Sequence, residues 1–152
     1  MKNTLTKKIL AFILSVLMIS TSMPIIALAD ESPEIIDGYI GTKTSGLTWE
    51  YVTSEKTLYI NGEGSVTYYL YFNDEATYGT SFASYFSNGD IEKLVIGEGI
   101  TSYTRPESLR LQTAISEVVL PESLTCIGPN AFENYQITSI TIPDGVNLIS
   151  QY

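Results

Sequence analysis

The chain has 152 residues and a formal net charge of −9, with no histidine and a single cysteine, Cys126. So acidic a chain is repelled by nucleic acid and by anionic lipid, and we expect neither as a partner. The missing imidazole and the lone thiol exclude Ser-His-Asp and Cys-His catalysis, an internal disulfide framework and a Cys/His zinc site.

In chain order, Lys2, Lys7 and Lys8 precede an apolar run from Ile9 to Ile19, and Ala27-Leu28-Ala29 supplies small residues for cleavage. That is the layout of a secretory signal peptide. The run is short for a bilayer span and Pro24 follows closely, so we expect residues 1–29 to be removed, with no membrane insertion afterwards. The remaining 123 residues carry five basic and 17 acidic side chains, net −12, and are enough for one modest core. Absent disulfides and N-x-S/T sequons, bacterial export to the cell surface or medium is the expected route.

Residues 30–46 are expected to form a flexible leader, and residues 47–84 an N-terminal cap. Within the cap, "LTWEY" (47–51) and "TLYI" (57–60) are β-prone runs joined by the polar "VTSEK", which predicts a hairpin. "LYINGEG" (58–64) echoes "LVIGEG" (94–99) and is expected to be a degenerate first rung. Residues 65–84 are tyrosine-rich and aperiodic. They predict loop, one strand in "VTYYLYF" and a short helix near 81–86.

From residue 85 the chain repeats itself. "IEKLVIGEGITSY" (91–103), "ISEVVLPESLTCI" (115–127) and "ITSITIPDGVNLI" (137–149) superpose apolar on apolar throughout, Leu94, Val118 and Ile140 being spaced by 24 and 22 residues. A period of this length marks a solenoid, each unit one turn of a coil. The alternation in "LVI", "VVL" and "ITI" is that of a strand with two side chains inward. "GEG", "PES" and "PDG" then stop the strand. One unit cannot bury its own apolar edge; stacked in parallel, each copy covers the next. Phe86 and Phe132 each stand five residues ahead of a unit, which predicts a repeated aromatic core element.

The segments "LVIGEGI", "VVLPESLTCIGPNAF" and "ITIPDGV", with Ile127-Gly128 followed by Ala131-Phe132, resemble the bacterial leucine-rich repeats of the BspA type. Residues 104–114 depart from that pattern, lacking the Ala-Phe pair and placing Tyr103-Thr104 where Ile127-Gly128 would stand. The resemblance implies a mainly β, short solenoid over residues 85–152, with parallel strands, short helical turns on the convex side and the hairpin as cap. It also implies a non-enzymatic, adhesion-like role towards an extracellular protein or glycan.

The strand face outside the core is the predicted contact surface: Glu92, Lys93 and Val95, then Ser116, Glu117 and Val119, then Thr138, Ser139 and Thr141. Glu98, Glu122 and Asp144 should stack into a column of acids, which suits a solvated turn better than a calcium site or a glycosidase pair. We therefore expect no metal, no cofactor and no catalytic residue. Cys126 reads as a small core filler. The sequence stops at Tyr152, just after a rung, so Ile140–Ile142 is expected as an exposed edge strand open to self-association. The alternative to a binding module is a structural spacer, the N-terminal piece of a larger secreted protein.

Overall fold

The computed structural model describes residues 34–42, 44–70, 72–74 and 86–150. The signal peptide at 1–29, and all but Phe86 of the helix expected near 81–86, fall outside them.

The cap is a three-stranded antiparallel meander of β1 (Ile35–Ile40), β2 (Thr48–Val52) and β3 (Thr57–Asn61). In β2 and β3 the sequence alternation sorts the faces: Trp49, Leu58 and Ile60 are buried while Thr48 and Asn61 are exposed. A 3-10 turn at Thr53–Glu55 joins them and closes on Lys56 in the left-handed region (φ 49°). The predicted hairpin is therefore present, with Trp49 opposite Ile60 and Tyr51 opposite Leu58. Residues 35–40 correct the sequence reading: they lie in the stretch expected as a flexible leader, yet they form a strand. Its pairing is non-local, with β2 on one side and β5 (Phe72–Asp74) on the other, and it buries Ile40 completely.

Beyond the hairpin the pairing turns parallel. β3 pairs with β6 (Lys93–Ile96), Leu58 opposite Leu94 and Ile60 opposite Ile96, and β6 pairs with β8 (Glu117–Val119), Leu94 opposite Val118. The first sheet thus runs β5-β1-β2-β3-β6-β8. Each rung then turns and adds a strand to a second, wholly parallel sheet in the order β10-β9-β7-β4: β4 (Gly64–Val66), β7 (Ile100–Tyr103), β9 (Cys126–Ile127) and β10 (Leu148–Ile149). The echo at 58–64 is thus a genuine rung, completed by β4.

The core lies between the sheets. Ile91 and Ile115, Leu94 and Val118, Ile100 and Leu124, and Tyr103 and Ile127 form its successive layers, all buried. Phe86 packs edge-on against Trp49 (6.1 Å) and Tyr51 (4.7 Å), so the aromatic ahead of the first unit joins cap to solenoid. Phe132 does the corresponding work further on, stacked on Tyr103 at 5.7 Å. The short helical turn on the returning side is a 3-10 turn at Glu107–Leu109, inside the stretch that lacks the Ala-Phe pair. The segment after β9 is a run of turns in which Asn130 and Asn134 take positive φ.

The last unit departs from expectation. Residues 140–142 form no strand, and the first sheet ends at β8. The rungs are joined by the Lys93 N–H donating to Lys56 O (3.2 Å) and the Ser116 N–H to Glu92 O (2.9 Å); in the last unit the Gln136 N–H donates to Ile115 O (2.7 Å), one residue out of step, and no strand pairing follows. In the second sheet it continues, Ser150 N donating to Ile127 O at 2.9 Å just as Gly128 N donates to Tyr103 O at 2.8 Å. The last unit is therefore strand-paired in the second sheet alone.

Candidate functional site: the outer strand face

The repeat register brings six of the nine predicted face residues together. Lys93 lies beside Glu117 and Val95 beside Val119 on adjacent strands, with Glu92 and Ser116 immediately before them. Sequence reasoning missed Tyr59, which lies in register with Val95 and extends the row into the cap, with Glu50 beyond it. The signal was available in the "LYINGEG" echo, since Tyr59 occupies the position of Val95. Val119 is the exposed end of this Tyr59–Val95–Val119 row.

Thr138, Ser139 and Thr141 are exposed, but they lie on the unpaired segment rather than on a third strand. Between that segment and β8 opens a cleft of about 260 Å³, lined by Val119, Leu120, Ser139 and Thr141 among others.

The charges on this face are engaged between rungs. Lys56 Nζ is 2.5 Å from Glu92 Oε1, and Lys93 Nζ is 2.6 Å from Glu117 Oε1. The hydrogen bond to Glu92, and then its charge, hold the Lys56 ammonium above its ordinary range. Such half-exposed pairs are screened by solvent and add little to stability, so they serve mainly to set register.

The acids of the predicted column, Glu98, Glu122 and Asp144, all lie in turns. Both oxygens of Glu98 accept backbone N–H groups of the next rung, Glu122 N at 2.9 Å and Ser123 N at 3.2 Å. The Glu122 N–H is the main reason the Glu98 carboxyl sits below the usual carboxylate range. Among the described residues no group of three acidic, cysteine or histidine side chains is placed to hold a metal ion. Ser123 completes the joint: its hydroxyl accepts from Gly99 N (3.0 Å) and donates to Ile100 O (3.0 Å). Cys126 is partly buried between Ser102 and Leu148 in the second sheet.

A parallel coil of in-register rungs, closed at one end by an antiparallel hairpin, defines a repeat solenoid. A model of the BspA type leucine rich repeat region, comprising six copies, matches residues 71–152, and the chain belongs to that family. The fold is also similar to the crystal structure of a leucine-rich repeat protein from Eubacterium ventriosum ATCC 27560, with a TM-score of 0.55 and 21% identity. That likeness covers 76% of this chain and 28% of the other, so the chain spans about a quarter of that protein's length. No curated protein matches the chain.

Proposed function

We propose that this leucine-rich-repeat chain is an exported, non-enzymatic binding module that engages an extracellular protein or glycan through its outer strand face. The observation that carries this reading is the in-register row Tyr59–Val95–Val119, an apolar stripe open at Val119 and flanked by the Lys56–Glu92 and Lys93–Glu117 bridges. A rigid strand surface with a central apolar stripe and a charged rim is the form of a small protein-contact patch. Membership of a bacterial repeat family and the N-terminal pattern at 1–29 support export to the surface or medium. Self-association belongs to the same reading, through the exposed Leu148 and Ile149 of β10.

Binding of the full chain to immobilised matrix proteins and to a glycan array tests this, with Glu117→Lys/Thr141→Lys as control. Binding in the parent and its loss in the control is expected; equal binding by both sinks the strand face. The second reading, a structural spacer, draws on the same bridges: the face's charges are spent on joining rungs, leaving fewer for a partner. It predicts no binding in either protein.

A further inference from the structure

A second site lies away from the strand face, where the chain leaves the second sheet. Three successive rungs contribute to it at equivalent places: Tyr68 and Tyr69 follow β4, Thr104 and Arg110 follow β7, and Asn130 and Glu133 follow β9. Together they line a cavity of about 430 Å³, within the usual range for small-ligand sites, roughly 300–1,000 Å³.

Its walls are fixed before any ligand arrives. The tyrosine turn is held by Leu70 N donating to Thr67 O (3.1 Å) and by Glu107 N donating to Tyr68 O (3.1 Å). Tyr68 meets Tyr69 edge to face, ring centroids 5.3 Å apart at 85°, so Tyr69 is braced although it is 81% exposed. At the floor Arg105, its side chain only 7% exposed, donates to both the carbonyl and Oε2 of Glu133. That contact orients Glu133, whose side chain stays half-exposed. Asn130 is exposed and held in a left-handed turn (φ 54°).

The charge balance limits the ligand. Arg105 is paired with Glu133, and Arg110 with Glu107 at 3.2 Å. Both cations of the site are thus neutralised, and the chain as a whole is acidic, so a phosphate or carboxylate gains little here. What remains is the exposed Tyr69 ring beside an amide, a carboxylate and a guanidinium, all planar. A sugar ring matches that set: its C–H face stacks on the aromatic ring, while its hydroxyls pair with planar donors and acceptors. A proline-rich peptide would want an apolar groove between aromatic ridges, and here the opposite wall is polar.

We propose that this cavity binds an uncharged saccharide, stacked on Tyr69 and hydrogen-bonded by Asn130, Glu133 and Arg110. The site is independent of the strand face and holds whether or not that face binds anything. The test is calorimetric titration of the full chain with neutral hexasaccharides (cellohexaose, maltohexaose, mannohexaose, xylohexaose and chitohexaose), alongside a heparin hexasaccharide and a polyproline decapeptide. At least one neutral sugar should bind with a Kd of about 10 μM to 1 mM. Tyr69→Ala should weaken it by about tenfold or more, and Tyr69→Phe, which keeps the ring, by no more than about threefold. Glu117→Lys/Thr141→Lys should bind that sugar as the parent does. Binding of none of the five neutral sugars, unchanged binding by Tyr69→Ala, or preference for the heparin fragment or the peptide would each overturn the proposal.

Discussion

Glu98 and Gly128 show how single residues join one rung to the next. The Glu98 carboxylate accepts two backbone N–H groups across the inter-rung boundary, and its protonation weakens both bonds. Because those bonds lower its pKa in the folded state, its contribution is full above the ordinary glutamate range and fades as pH falls through and below it. Thermal melts of the parent and Glu98→Ala should therefore differ at pH 7 and converge towards pH 3; a constant gap would show that the side chain acts otherwise. Gly128 makes room for its neighbour: a Cβ there would stand 1.9 Å from Thr104 Oγ1 and 3.0 Å from Thr104 Cβ. Gly128→Ala is expected to cost about 1–3 kcal/mol in urea unfolding, as overpacking of a filled site does. Adding Thr104→Gly should recover part of that loss, since the clash is with this side chain. The sequence registers the exchange without explaining it, as Tyr103-Thr104 stands where the next rung has Ile127-Gly128.

At the level of the element, what could be read in advance was whatever depends on local pattern. The rows Leu94/Val118 and Ile100/Leu124 follow from strand alternation and from turns at fixed offsets, and both are buried in register. β1 could not be read, because "IIDGYI" places Asp37 and Gly38, poor strand formers, mid-strand, and only its partners β2 and β5 make it a strand. The Tyr68–Tyr69 cavity was invisible for a like reason: its walls are some sixty residues apart in sequence and aligned only by the coil. The last unit fails in the opposite sense. "ITI" has ideal strand composition, yet the side-chain joints of the earlier interfaces, the Lys93–Glu117 bridge and the Ser123 hydroxyl, are not repeated here. Ser139 and Thr141 offer no charge to Glu117, and Gly145 stands where Ser123 bonds across to Ile100 O. Gly145→Ser restores that hydroxyl opposite Leu124 O, with a Cβ 3.4 Å from that oxygen and no steric conflict. The substitution should add about 0.5–1.5 kcal/mol. It should also slow amide exchange at Asn147 and Ser150, whose N–H groups donate to Thr125 O and Ile127 O; unaltered exchange there would mean the turn is not what limits the last unit.

For the whole molecule, the decisive strand is β3, because it belongs to the antiparallel cap and to the parallel solenoid at once. Its Leu58 faces Tyr51 on one side and Leu94 on the other, and the Tyr51 hydroxyl adds a bond to Asp90 O at 2.6 Å. Phe86 packs its ring edge-on against both Trp49 and Tyr51 from the solenoid side. With one core running through both parts, the cap cannot open without exposing the first rung. Trp49 is the chain's sole tryptophan and is buried in that junction, so its fluorescence reports the cap while far-ultraviolet circular dichroism is dominated by the strands at large. The two signals should follow one coincident urea transition, as a single cooperative unit requires. Trp49→Ala should lower the stability of that unit by about 3–5 kcal/mol and shift the dichroism midpoint with it. If the fluorescence transition instead comes first and the strands persist, cap and coil fold separately. The layer at the far end is already thin: Tyr103 is fully buried and Ile127 nearly so, but Ile149 in the same row is 58% exposed. Amide protection along this row should therefore fall in the sequence Thr104, Gly128, Ser150, residues whose N–H groups each bond to the preceding rung.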